Sequence, residues 1–222
     1  MALKGLIERR EIWVPTWRGC ILILLCCVSA FLGFLYGIHP FLATSQSQGQ
    51  GILIVEGWLS DKDFEMALPI LTSQSYHIII TTGGELEEGS IYQKVFPNRS
   101  TGADVAAAEI IALGVSKDRM KPVPSPRTLI DRTYSSAVAV KKWLDDSYET
   151  PLMIDVLTIG VHARRTWLLF DLVLGNDHRV GVIALRDRHY DEKRWWHSSE
   201  GIKTVIKEFI GYLYAKFLFW PE

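Results

Sequence analysis

Short runs of consecutive apolar positions alternate along this chain with stretches whose apolar positions recur every three or four residues. The runs are GILIV (51–55), HIIIT (77–81), MKPVPSP (120–126), MIDVLTI (153–159) and RVGVIAL (179–185). Their length and β-branched content predict strands, and their lack of polar alternation predicts cover on both faces. The third is the weakest, because its prolines cannot donate to a ladder. Between the runs the period lengthens. Phe64, Ala67, Leu68 and Leu71 predict a helix over 61–73, with Pro69 late in it. A second helix is predicted over 103–113, ended by Gly114. A third covers 132–145, with Ala137, Val140, Trp143 and Leu144 on one side. HARRTWLLFDLVL, ended by Gly175, makes a fourth, and 199–217 the last. Strands separated by helices of this length form right-handed crossovers and a parallel sheet. The predicted fold is a three-layer, Rossmann-like α/β domain over residues 51–222, with a mainly parallel sheet of about five strands.

One segment departs from this rhythm. Residues 19–38, GCILILLCCVSAFLGFLYGI, carry no charge and have the length a helix needs to cross a bilayer. A transmembrane helix is predicted over 19–41. A cleaved signal peptide is the first alternative, but no small-residue cleavage site follows; a buried core helix is the second. Lys4, Arg9, Arg10 and Arg18 precede the segment, and no Lys or Arg follows until Lys62. The positive-inside rule then places residues 1–18 in the cytoplasm and the domain outside the plasma (inner) membrane, periplasmic or extracellular. Residues 42–50 are small and polar, a flexible linker by composition. Cys20, Cys26 and Cys27 all lie in the apolar segment, so the domain can hold neither a disulfide nor a cysteine metal site. A net charge of −1 exerts no general pull on nucleic acid.

In an open parallel sheet, ligands bind beyond the carboxyl ends of the strands. Four places qualify: Glu56-Gly57-Trp58; Thr81-Thr82-Gly83-Gly84; Asp131-Arg132-Thr133 with Ser136 one turn on; and Gly160 with His162 and Arg165. The N–H groups of a helix N-terminus favour an anion there. Arg132 and Arg165 can fork onto phosphate or carboxylate oxygens. Gly57, Gly83, Gly84 and Gly160 allow backbone to come close to a ligand. His162 is the leading acid–base candidate, because it titrates near neutrality; Glu56 is the alternative. Arg164 is expected to face elsewhere and pair with a surface acid. Gly83-Gly84 also reads as a plain turn, and Glu85, Glu87 and Glu88 as a solvated loop. No metal set and no certain cofactor emerges.

The order strand–EGW, TTGG, DRTYSSA and LTIGVHARR resembles the ElyC/SanA/YdcF family of bacterial envelope proteins over roughly residues 51–215. Gly57, Thr82-Gly83-Gly84, Thr133 and the His162/Arg165 pair fall on the family's motif positions. The family's Glu and Asn after that Thr are Ser135 and Ser136 here, and its Tyr before the His is Val161. The resemblance implies a Rossmann-like fold, an N-terminal membrane helix and a role in peptidoglycan-precursor or lipid-carrier metabolism. It assigns no reaction. The leading expectation is a phosphorylated ligand, such as a polyprenyl-phosphate carrier or its sugar conjugates, with phosphoester hydrolysis or transfer as the reaction class if the protein is an enzyme. A non-catalytic scaffold of the envelope machinery is the alternative, and a nucleotide or S-adenosylmethionine site the second. At the C-terminal end, Ile202, Val205, Ile206, Phe209, Ile210 and Leu213 predict a core stripe. Trp195, Trp196, Tyr212, Tyr214, Phe219 and Trp220 form a candidate membrane-facing surface.

Overall fold

The computed structural model describes residues 13–87, 94–96, 98–128, 130–149 and 151–220. The chain divides into two units, Met1–Gly37 and Ile38–Glu222. The first contains most of α1 (Trp17–Leu42), which is long and apolar enough to cross a membrane by length and composition. Its Leu22, Leu24, Phe31 and other apolar side chains are exposed.

The second unit is the α/β domain. Its strands are β1 (Gly51–Glu56), β2 (Tyr76–Gly83), β3 (Met120–Pro124), β4 (Met153–Ile159) and β5 (Arg179–Leu185). They form one all-parallel sheet in the order β3-β2-β1-β4-β5. The proline-bearing β3 lies at an edge, where a missing donor costs least. The chain leaves β1 for β2 on one side and later returns to β4 on the other, so the switch point lies between β1 and β4.

The helices are α2 (Asp61–Leu71), α3 (Gly102–Ala112), α4 (Arg132–Ser147), α5 (Ala163–Leu174) and α6 (Ser199–Phe217). Phe64 and Leu71 of α2 and Ile110 of α3 pack with Leu53, Ile79 and Leu157 on one face. Val140 and Leu144 of α4 and Phe170 and Leu174 of α5 pack with Ile52, Ile80 and Val156 on the other. Burial of each such side chain contributes about 1.5–3 kcal/mol. Ser60 starts α2 by donating its N–H and hydroxyl to Asp63 Oδ2, at 3.0 and 2.7 Å. The Ser198 hydroxyl caps α6 by accepting from Gly201 N at 3.0 Å.

Two expectations need correction. Residues 45–49 are fastened to the sheet rather than forming a flexible linker. Gln46 bridges Val182 in antiparallel fashion, and Ala184 N donates to Ser45 Oγ at 2.8 Å. Asp155, fully buried in β4, accepts from Ser47 Oγ (2.6 Å), Gln48 N (2.8 Å), Gly49 N (2.9 Å) and Tyr76 OH (2.7 Å). Small polar composition suggested mobility, whereas one buried carboxylate holds the segment down.

The second correction concerns α6. Its buried side is Gly201, Val205, Glu208, Tyr212 and Ala215, while Ile202, Ile210 and Leu213 are exposed. Small residues win the inner face because the backbone comes close there: a Cβ on Gly201 would stand 2.2 Å from Trp195 O. Of the six candidate membrane-facing aromatics, Trp195 and Tyr212 are buried in the domain, whereas Tyr214 and Trp220 are exposed.

Candidate functional site

The carboxyl end of the sheet carries a polar row. Glu56 ends β1 and is in register with Thr82 of β2. Val55 pairs with Leu157, so Thr158 of β4 stands on the other side of Glu56. All three residues are buried. They lie one pleat beyond Ile54, Ile80 and Val156, and so face α4 and α5. The inward stripes of those helices also begin polar, with Thr133 and Ser136 on α4 and Thr166 on α5. Thr166 Oγ1 donates to Glu56 Oε2 at 3.4 Å, and Ser136 Oγ to Ser125 Oγ at 3.4 Å.

β4 ends in a tight turn, Gly160–His162, that leads into α5. Gly160 has φ +46°, which favours glycine, and a Cβ there would stand a tight 3.1 Å from the Cβ of Asp187. The turn sets His162 between two carboxylates. Its Nε2 is 3.6 Å from Glu56 Oε1, and its Nδ1 is 3.0 Å from Glu208 Oε2 on α6. Arg165, one turn into α5, places Nε 2.9 Å from Glu208 Oε2 and Nη2 3.3 Å from Oε1. The ring of Trp58, itself 53% exposed, meets His162 edge-on at 5.1 Å.

This arrangement controls ionisation. Burial pulls the His162 pKa down, but the Glu56 charge and the Glu208 hydrogen bond outweigh it and raise the value to about 9. Burial pushes Glu208 up, yet its hydrogen bond and charge interaction with His162, together with Arg165, bring it down to about 2. Glu56 is likewise lowered: burial opposes ionisation, and the His162 charge, with help from Thr158 and Trp58, overcomes it. Two cations and two anions thus close a neutral, largely buried quartet.

The structure brings Glu56, Gly160, His162 and Arg165 together at the switch point, and Thr82 flanks Glu56 from β2, the strand on the other side of β1. Arg165 is already engaged by Glu208. Thr133 and Ser136 lie at the buried start of α4, and Arg132 is exposed beside them. Gly57, Gly83 and Gly84 meet backbone. Gly57 N donates to Thr82 O at 2.6 Å, a Cβ on Gly83 would lie 3.2 Å from Ala103 N, and Gly84 O accepts from Gly102 N at 2.8 Å. They let the ends of β1 and β2 close onto the start of α3. Among the described residues Arg164 pairs with no surface acid. It donates to the Phe41 carbonyl and lies over the Phe41 ring at 4.1 Å. Glu88 falls outside the described residues, among which no cluster of His, Cys, Asp and Glu is arranged to hold a metal. Glu208, Thr158 and Thr166 were missed. For Glu208 a signal existed: it lies seven residues from both Gly201 and Ala215, on the small-residue face of α6.

Among the described residues, Thr82 Oγ1, Thr158 Oγ1 and His162 Nε2 are buried without a hydrogen-bond partner, and Nε2 faces Glu56 Oε1 at 3.6 Å as an ion pair only. Unmet hydrogen-bonding capacity at a switch point marks a place where a ligand can supply what the protein does not. Comparison with known proteins adds nothing to this: no family model, curated protein or solved structure matches the chain.

Proposed function

We propose that this is a membrane-anchored envelope-biogenesis factor of the ElyC/SanA/YdcF kind, with α1 in the plasma (inner) membrane and the domain on its outer side. It binds a phosphorylated, polyprenyl-phosphate-linked ligand of cell-wall or surface-polysaccharide metabolism at the β1/β4 switch point. The observation that carries this reading is the pair of unpartnered buried atoms, Thr82 Oγ1 and His162 Nε2. Phosphate oxygens accept hydrogen bonds, and both atoms can donate. The start of α5 suits an anion, with no acidic residue in its first turn and His162 at its N-cap, while α4 opens with Arg132 behind the N-cap Asp131. The start of α2, by contrast, carries Asp61 and Asp63, which disfavours a dinucleotide pyrophosphate after β1. Phosphoester hydrolysis or transfer is the reaction class, with His162 and Glu56 as the acid–base pair. The exposed Ile202, Ile210, Tyr214 and Phe217 of α6 give the domain an apolar surface for the membrane.

A second reading, a non-catalytic scaffold of the envelope machinery, draws on the charge closure of the quartet, which a purely structural network would also show. The test is thermal unfolding of the full chain in detergent micelles, with and without short-chain polyprenyl phosphate. At 100 times its dissociation constant the ligand stabilises the native state by about 2.7 kcal/mol. Arg132→Ala should reduce that rise while leaving the ligand-free melting temperature in place. No rise in the wild type would overturn the phosphate reading. His162→Gln then separates the two roles: an enzyme loses turnover by more than the weakened binding accounts for, whereas a scaffold loses binding alone.

A further inference from the structure

The atoms around His162 constrain where its protons are. Glu208 Oε2 lies 3.0 Å from Nδ1, and because a carboxylate only accepts, this approach favours a hydrogen on Nδ1. A neutral ring with Nδ1–H would turn the bare lone pair of Nε2 toward Glu56 Oε1, 3.6 Å away and itself anionic. That arrangement is repulsive, so Nε2 carries a hydrogen too. Arg165 Nη2 also lies 3.0 Å from Nδ1, and a neutral ring with its hydrogen on Nε2 would accept from it there, at the cost of turning the bare Nδ1 toward the Glu208 carboxylate. Its guanidinium is satisfied by Glu208 through Nε and Nη2, at 2.9 and 3.3 Å. The charged groups facing His162 are therefore Glu56 from β1, Glu208 from α6 and Arg165 from its own helix.

We propose that His162 is a standing imidazolium that acts as the proton donor of the site, and that Glu208 is the positioning residue that orients and charges it. This rests on the reading of the switch point as a ligand site and assigns the direction of its acid–base chemistry. When a ligand oxygen enters, the Nε2–H bond breaks and its electron pair stays on nitrogen, while an O–H bond forms on the ligand. The ring left behind is neutral and keeps its Nδ1–H on Glu208. The quartet passes from neutral to one negative charge, and a proton from solvent restores it. Glu56, at hand but not hydrogen-bonded, holds the Nε2–H in the crevice until the ligand takes it. The C-terminal helix is thus part of the site: through Glu208 it sets the protonation of the histidine that follows the end of β4.

The test is a pH titration of full-length protein in detergent micelles, labelled with nitrogen-15 histidine, with His162 assigned through His162→Gln. Both ring nitrogens should be protonated at neutral pH, with a midpoint well above the ordinary histidine value. Glu208→Gln should lower that midpoint by about one pH unit or more, as loss of an adjacent opposite charge does. Glu56→Gln should lower it too, which keeps the test decisive if the Glu208 variant does not fold. A neutral His162 at pH 7 in the wild type, or a midpoint unmoved by loss of either carboxylate, overturns the proposal. The titration needs no ligand. An imidazolium without polyprenyl phosphate binding would sink the functional reading alone, and binding with a neutral His162 would sink this inference alone.

Discussion

Glu208 Oε2 lies 3.0 Å from His162 Nδ1, so the last helix of the chain is tied to the strand end that opens the candidate site. The same carboxylate holds Arg165. Replacing Glu208 by Gln leaves two cations with one anion in a largely buried place. The expected loss is about 3–5 kcal/mol, the usual cost of breaking a buried ion pair from one side. Glu200→Gln, on an exposed pair with Lys203, should stay within about 0.5 kcal/mol. Denaturant unfolding of the full chain in micelles compares the two.

Most of the fold was legible because its strands are buried on both faces. GILIV and MIDVLTI needed no alternation to be read, whereas the proline-bearing MKPVP read only as a weak strand and its place at the sheet edge was not legible. The quartet was half legible. His162, Arg165 and Glu56 sit where strand ends and helix starts are written in local pattern. Glu208 sits in an amphipathic helix where an acid ordinarily means solvent. The large apolar residues of α6 point to Ile202 and Ile210, whereas close backbone packing selected Gly201 and ion pairs with His162 and Arg165 turned Glu208 inward. The grip of Asp155 on residues 47–49 joins positions a hundred apart in the chain, and no local pattern carries that.

Thr81 and Thr82 are neighbours with opposite expectations. Thr81 Oγ1 donates to Ala103 O at 2.8 Å, so Thr81→Val should cost about 1 kcal/mol. Thr82 Oγ1 has no partner, so Thr82→Val should be neutral or stabilise by up to about 1 kcal/mol. The Thr82 variant should nonetheless lose much of the thermal stabilisation by polyprenyl phosphate. Melting temperatures with and without ligand check both signs.

Asp155→Asn turns one acceptor of the clamp into a donor facing donors. A loss of at least about 2 kcal/mol is expected. Amide exchange at Gln48 and Gly49 should speed up. The Tyr76 phenol, raised to about 12 by burial and by Asp155, should titrate lower in the variant.

The quartet also gives stability a pH dependence. The folded-state pKa of His162, about 9, lies above its ordinary 6.5. Its contribution is therefore fully present below about pH 6.5 and is lost as pH rises through about 9. Glu208 works at the other end. Lowered from 4.5 to about 2, it contributes above about pH 4.5 and loses that contribution as pH falls through about 2. Melting temperature followed from neutral to alkaline pH should fall in the wild type, and the fall should be smaller in His162→Gln.

The most direct test of the central claim follows histidine ring signals of the full chain in micelles as short-chain polyprenyl phosphate is added. His162 follows the carboxyl end of β4, whereas His77 and His178 lie at the amino ends of β2 and β5. A ligand at the switch point should shift the His162 ring nitrogens, Nε2 most, and leave His77 and His178 in place. A ligand that binds while His162 stays unmoved, or that shifts only the histidines at the amino ends, would contradict the account.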